Sequence, residues 1–333
     1  MKVQDLGESG LIRRLTDIIA SRRQKGTVAP GQRLLVGLGD DAAAWRIDGA
    51  TELATTDTVV EGVHFTRDTT PWEDLGWKVM AANVSDIAAM GGQPLYALVT
   101  LGLPPDTPVK ATDLLYQGML DLAEEFDFAI VGGDVVRSPT VFVTVALTGA
   151  MEGAPMLRSE AKPGDRVAVC GAVGSSAGGL RLLQEGMPAN PKDGARLKET
   201  HRRPNPRLED GRILAREGVK AAIDVSDGLA DDLSKLCQAS GLAAQVRGAE
   251  VPVDPALKRV FPDDYLNLAL AGGEDYALIF TAPGDVIERV LPQLTSPTTV
   301  VGDILAGEPG LVNVVDSHGR DLTPSRGGWD HFR

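Results

Sequence analysis

The sequence predicts a two-domain protein of the α/β (α+β) class, and three observations predict it. At 333 residues the chain is long enough for two separate hydrophobic cores. Short apolar runs alternate with longer stretches of helical periodicity through both halves, the pattern of sheets covered by helices. Between Glu152 and Asp165 that pattern lapses, and Lys162-Pro163-Gly164-Asp165 reads as a turn. The boundary is placed here, giving an N-terminal unit over 1–150 and a C-terminal unit over 151–333.

The elements follow in order. A first helix is predicted over Leu11–Arg22 and is broken by Lys25-Gly26 and Pro30-Gly31. A short strand from Leu34 leads through Gly37 and Gly39 to the acidic pair Asp40-Asp41, and Leu53–Val60 is a second strand carrying Thr55, Thr56 and Asp57. Leu75–Gly92 reads as a helix with Leu75, Val79, Ala82 and Ala89 on one side and Met80, Val84 and Ile87 on another. Apolarity on more than one face marks it as buried, and Gly91-Gly92 ends it. Asp86 continues the Leu75, Val79, Ala82 series and so points inward, where an unpaired carboxylate is costly. A basic partner or a frayed helix end would account for it as well as a metal ion would.

Leu95–Leu101 is a strand stopped by Pro104-Pro105, Thr112–Phe126 a helix, and Phe128–Val131 a strand giving way to Gly132, Gly133 and Asp134. Val141–Thr148 is β-rich. The second half opens with the strand Arg166–Cys170 and the glycine-rich Gly171–Gly179, read as the entry to a helix capped by Ser175. His201–Leu208 precedes another helix, Asp224 and Asp227 follow a further strand, and Gly272-Gly273-Glu274-Asp275 precedes the strand ending in Phe280. Asn83-Val84-Ser85-Asp86 is echoed by Asp224-Val225-Ser226-Asp227, and Gly132-Gly133-Asp134 by Gly272-Gly273-Glu274.

Composition narrows the function. A formal charge of −13 argues against nucleic acid as partner, because phosphate backbones are bound by clustered Lys and Arg. No apolar run approaches the ~18 residues of a membrane span, and Met1–Gly10 has no apolar leader core, so no membrane is expected as partner. Cys170 and Cys237 lie apart among apolar neighbours, which suits core positions in a reducing cytoplasm.

The carboxylates carry the chemistry. Asp40, Asp41, Asp57, Asp86, Asp134, Asp224, Asp227, Glu274 and Asp275 recur beside glycines or at strand ends. Each alone could be a turn or cap residue. As a group they favour Mg²⁺, which takes oxygen ligands in company with phosphates, whereas zinc would want clustered Cys and His. No GxxxxGK[ST] is present and Gly171–Gly179 lacks dinucleotide-fingerprint spacing, so phosphates would be gripped by metal with help from Arg137, Arg158 or Lys162. None of the four histidines pairs with a Ser or Cys in a nucleophile motif.

In order, GDDAA, TTDTVVEGVHF, NVSDIAAMGG, GGD, RSEAKPGD, IDVSDGL, AGGEDYAL and the tail GWDHF resemble the thiamine-monophosphate kinase family over nearly the whole chain. That family belongs to the aminoimidazole ribonucleotide synthetase-like superfamily. The resemblance implies an N-terminal dimerising sheet domain that binds ATP and Mg²⁺, and a C-terminal α/β domain that completes the substrate site. It implies a homodimer and the reaction of ATP with thiamine monophosphate to give ADP and thiamine diphosphate, the last step of thiamine diphosphate biosynthesis.

Carried over by motif, Asp41, Thr55, Thr56, Asp57, Asp86, Asp134, Asp224 and Asp227 would bind metal. Gly133, Asp134, Arg158 and Ser226 would contact ATP, and His64, Glu274 and Trp329 thiamine monophosphate. Ser9 departs from the aromatic residue expected in the family's LGExGLI opening. The acceptor is an already ionised phosphate oxygen, so no residue is assigned as general base. Two other classes fit the acids: a phosphohydrolase, which would release phosphate from ATP without thiamine monophosphate, and a nucleotide-binding scaffold, which would turn nothing over.

Overall fold

The computed structural model describes residues 34–36, 40–47, 50–324 and 328. The helix expected over Leu11–Arg22, Ser9 and Trp329 lie outside these residues. The first sheet comprises β1 (Leu34–Val36), β2 (Ala43–Ile47), β3 (Ala50–Val60), β4 (Gln93–Leu103), β5 (Ala129–Arg137) and β6 (Phe142–Met151), in the order β1-β2-β3-β6-β4-β5. Two helices belong to this half, α1 (Trp72–Ala89) and α2 (Val109–Glu125). Neighbouring strands are antiparallel except β4 and β5, which are parallel and joined through α2. Parallel neighbours need such a crossover.

The second sheet comprises β7 (Arg166–Cys170), β8 (Ala221–Asp224), β9 (Ala243–Arg247), β10 (Leu278–Ala282), β11 (Thr298–Leu305) and β12 (Val312–Val315), in the order β12-β9-β11-β7-β10-β8. Around it lie α3 (Ser175–Glu185), α4 (Pro191–Arg202), α5 (Leu208–Arg216), α6 (Leu229–Ser240), α7 (Pro255–Val260), α8 (Tyr265–Ala271) and α9 (Gly284–Val290).

The two sheets bury themselves differently. In β6, Val143, Val145 and Leu147 are buried while the residues between them keep partial access, the mark of a sheet covered on one face. β7 and β10 are apolar without alternation because both their faces are covered. Ala168, Cys170, Leu278 and Phe280 join one cluster with Met80, Ile87 and Val145, and Val167, Val169 and Ile279 join another with Leu233 and Val301. The predicted inward set of α1 is buried, with Val79, Met80, Val84 and Ile87 each at 0% exposure. This helix therefore lies between the first sheet and one face of the second.

Two local expectations are corrected. Gly132 and Gly133 sit inside β5 rather than ending a strand, because β5 approaches β4 so closely that a Cβ at Gly133 would lie 1.8 Å from the Val99 carbonyl oxygen. Ser175 does not cap α3. Gly174 occupies the cap position with φ of 85°, and the Asp275 carboxylate accepts from the N–H groups of Gly174 at 2.5 Å and Ser176 at 2.9 Å. A carboxylate there satisfies orphan donors and opposes the helix dipole. The sequence echo falls on unlike elements, since Asn83–Asp86 lies within α1, one turn before its end, whereas Asp224–Asp227 leaves a strand for a turn.

Candidate active site

The site begins at the C-terminal end of α1, where neighbouring residues reach in two directions. Asp86 accepts the Thr55 hydroxyl of β3 at 2.5 Å, and Ser85 donates to Asp224 at the end of β8 at 2.7 Å. One helix thus ties both sheets to a single point. There Asp41, Asp86 and Asp224 each offer an oxygen within 4.8 Å of the others. Asp57, two residues along β3 and on the same face as Thr55, shares a hydrogen bond with Asp86. Arg158, from the segment between the two sheets, pairs with Asp41, while its backbone N–H donates to Asp40 at 3.1 Å.

So many carboxylates cannot all ionise unaided. Burial drives the Asp86 carboxyl well above the ordinary range, and the charges of Asp57, Asp224 and Asp41 add to it. Asp224 is pushed up likewise by burial, then by Asp41 and Asp232. Asp40 rises to about 6 through burial and the neighbouring Asp41. Burial works against the Arg158 charge, but Asp41 outweighs it and holds the guanidinium protonated. The Asp41 Oδ2 atom is buried without a hydrogen-bond partner among the described residues. An orphaned anionic oxygen within an all-oxygen donor set fits a hard divalent cation, whose charge would reverse these upward shifts.

A second acidic group, Asp227, Asp231 and Asp232, already holds a cation of its own. Lys235 Nζ lies 3.1 Å from Asp231 and 2.8 Å from Asp232, and it pairs with Asp227. Asp232 also accepts the N–H groups of Ser226, Asp227 and Gly228 at 3.0, 2.9 and 3.0 Å, which fixes the turn after β8. The Glu274 segment rests on that turn. Glu274 N–H donates to the Ser226 carbonyl at 2.8 Å, and Gly273 is needed because a Cβ there would meet the same oxygen at 2.3 Å. Glu274 has φ of 65° and Tyr276 of 47°, uncommon values for residues with a Cβ. The Tyr276 phenol is held well above its usual range by burial, then by Glu274, Asp57, Asp224 and Asp86.

Of the residues singled out from the sequence, Asp41, Thr55, Asp57, Asp86, Arg158 and Asp224 converge. Ser226, Asp227 and Glu274 stand on the adjoining turn. Thr56 points to the opposite face of β3 from Thr55, and its hydroxyl donates to the Val145 carbonyl at 2.9 Å. Asp134 is exposed on the edge strand β5, accepts the Val135 N–H at 2.8 Å, and belongs to neither carboxylate group. Gly133 shares that strand. His64 closes the turn after β3, its Nδ1 accepting the Val60 N–H at 3.0 Å. Arg137 is exposed at the end of β5 and Lys162 is exposed in its turn, so Arg158 alone of the three basic candidates reaches the carboxylates. Gly328, beside Trp329, approaches the Asp227 carbonyl, where an added Cβ would lie 2.6 Å away.

Sequence reasoning missed Lys78, Ser85, His201, Asp232 and Lys235. One signal was present, since Lys78 is a basic residue in a helix apolar on several faces. It is 3% exposed, and it donates to Glu274 at 2.8 Å.

Two sheets joined by a central helix, with carboxylates gathered from both, define a class of protein. Residues 39–151 match the AIR synthase related protein N-terminal domain and residues 162–312 the C-terminal domain. Within that class the chain belongs to the thiamine-monophosphate kinase family. It is 38% identical to the thiamine-monophosphate kinase of Escherichia coli K12, covering 98% of each chain. It is 35% identical to that of Bacillus subtilis 168, covering 90% of this chain and 94% of the relative. A solved structure of AaThiL complexed with AMPPCP and TMP is 33% identical, with 99% of each chain covered and a TM-score of 0.85.

Proposed function

We propose that this protein transfers the γ-phosphoryl group of ATP to thiamine monophosphate, forming thiamine diphosphate and ADP, the last step of thiamine diphosphate biosynthesis. The observation that carries the reading is the meeting of Asp41, Asp86 and Asp224, from three separate segments, around an orphaned carboxylate oxygen. Family membership supplies the substrates.

The residues that would hold Mg²⁺ are Asp41, Asp86 and Asp224 at the centre with Thr55 and Asp57 beside them; the motif also names Asp134 and Asp227, which stand apart on β5 and on the Lys235 turn, and Thr56, which faces the other side of β3. When bound, Mg²⁺ supplies the positive charge that offsets repulsion between two anionic phosphates. Arg158 adds a fixed cation at the rim, and together with Gly133, Asp134 and Ser226 it is assigned to ATP. Thr55 and Ser85 hold Asp86 and Asp224 in place through their hydroxyls. No side chain is assigned as general base, because a phosphate acceptor is largely ionised at neutral pH. Glu274, His64 and Trp329 are assigned to thiamine monophosphate, whose thiazolium cation suits a carboxylate and an aromatic face.

The chain is read as two units, 1–150 for ATP, Mg²⁺ and dimerisation and 151–333 for completing the site. A homodimer is supported by the apolar surface of the first sheet, where Tyr96 and Leu98 are exposed on β4. Among the described residues no helix is long and apolar enough to cross a membrane, and the protein is assigned to the cytoplasm.

The test incubates the protein with ATP, Mg²⁺ and thiamine monophosphate and follows products by chromatography. Equal, Mg²⁺-dependent formation of ADP and thiamine diphosphate without free phosphate is expected. ADP with free phosphate and no thiamine diphosphate would replace the reading with a hydrolase.

A further inference from the structure

A chain of buried polar groups behind Glu274 takes no part in the reading above. Lys78 Nζ donates to Glu274 Oε2 at 2.8 Å and lies 3.3 Å from His201 Nε2. His201 Nδ1 lies 3.0 Å from the Ser176 hydroxyl, and Ser176 N–H donates to Asp275 at 2.9 Å. Lys78 and His201 are 3% and 1% exposed, whereas the Glu274 side chain keeps 29% access. The carboxylate is therefore the front of the chain and the ammonium its support.

The chemistry of the partners sets their states. An ammonium only donates, and its Nζ lies 3.3 Å from Nε2 and 3.5 Å from Nδ1 of His201, so the ring that meets it carries no positive charge of its own. His201 is thus a neutral imidazole, consistent with burial and then Lys78 driving it down to about 2. Neutral His201 packs against the ammonium, its Nδ1 standing off from Glu274 Oε2 at 3.6 Å, while Lys78 makes the closer contact at 2.8 Å. Such support is needed because Glu274 stands on a turn at positive φ, carries a long side chain, and lies with Asp57, Asp86 and Asp224 around the Tyr276 phenol. Unanchored, it would lose rotamer order and swing away from them.

We propose that Lys78 is a positioning residue for the substrate: held by neutral His201, its ammonium aims the Glu274 carboxylate at the cationic ring of the phosphorylated acceptor. The inference rests on the assignment of Glu274 to thiamine monophosphate. It gives α1 two tasks, Asp86 serving the phosphates and Lys78, two turns earlier, serving the organic cation.

The test compares Lys78→Met, Lys78→Arg, Glu274→Gln and the Lys78→Met/Glu274→Gln double variant by steady-state kinetics, with thermal melts as a check on folding. Loss of a charge-assisted hydrogen bond should raise KM for thiamine monophosphate about tenfold in Lys78→Met. KM for ATP should stay within about twofold, since the perturbation is confined to the acceptor side. Lys78→Arg should recover part of the loss, and the double variant should be no worse than Glu274→Gln alone. If Glu274→Gln raises KM while a cooperatively melting Lys78→Met does not, the positioning role is overturned and the Glu274 assignment stands. If Glu274→Gln leaves KM unchanged, that assignment falls and takes this inference with it. Should Lys78→Met fail to fold, Lys78→Gln, which keeps a donor without the charge, replaces it, and an unchanged KM in that variant overturns the role equally.

Discussion

Replacing Asp86 with Asn separates the two things this residue does. The amide keeps an oxygen to accept the Thr55 hydroxyl now at 2.5 Å, so the local geometry is retained. What disappears is a negative charge whose nearest oxygens lie within 4.8 Å of those of Asp41 and Asp224. At that separation each ionised pair costs about 3 kcal/mol with an effective dielectric near ~20. Part of this is already avoided, because burial and then Asp57, Asp224 and Asp41 push the Asp86 carboxyl up and so oppose its ionisation. The variant should therefore be more stable than wild type without metal, by about 1–3 kcal/mol at a pH near ~8, a rise of a few degrees in Tm. With saturating Mg²⁺ the order should reverse, because only the wild type keeps the full ligand set and gains binding energy on the folded side. Turnover should fall at least ~10³-fold, the equivalent of about 4 kcal/mol of lost charge stabilisation. Melting curves in EDTA and in MgCl₂, read beside product formation, check all three statements. A variant less stable than wild type in EDTA, or one with near-normal turnover, would refute the placing of Asp86 at the centre of a cation site.

Three further outcomes follow from the same geometry. Asp40 and Asp275 rise from 3.8 to about 6 and about 7, the first chiefly by burial and then Asp41, the second by burial. The folded state then binds more protons than the unfolded one, so metal-free stability should fall as pH rises from about 4 to about 7, by up to about 3 and 4 kcal/mol for the two groups; a Tm in EDTA that is flat or rising over that window would contradict it. Asp232→Ala removes the acceptor of three backbone N–H groups and a buried partner of Lys235. It should cost about 3 kcal/mol in chemical denaturation and lower activity through the loosened Asp227 turn. Gly133→Ala should lower Tm by several degrees, since its Cβ would lie 1.8 Å from the Val99 carbonyl oxygen, whereas Gly132→Ala, meeting only the Leu98 side chain at 3.3 Å, should be tolerated in the same melt.

What could be read in the sequence was what depends on local pattern. α1 was legible because it is apolar on several faces, and the acids at strand ends stood out beside their glycines. Residues whose role depends on distant partners were not legible. Nothing near Asp275 in the sequence shows that it caps a helix beginning a hundred residues earlier. Nor does the run Thr55-Thr56-Asp57 show which hydroxyl faces Asp86, until the pleat of β3 sends Thr56 to the other side. α4 escaped because Pro191–Arg202 is almost wholly polar, with Leu197 its one large buried apolar residue.

The placing of the site on α1 also couples the two halves of the chain to the proposed cation. The same cluster that contains Met80 and Ile87 contains Cys170 and Phe280, so docking of the second sheet on α1 buries apolar surface. That docking also brings Asp224 against Asp86 and Asp41, which opposes it while the acids lack a counter-charge. Ser85 and Arg158 offset part of the repulsion, the first by donating to Asp224 and the second by pairing with Asp41. The remainder is relieved by proton uptake on Asp86 and Asp224, whose carboxyls are pushed up, or by a bound cation. Hydrophobic contact therefore assembles the junction, and the charge left at its centre selects what binds there.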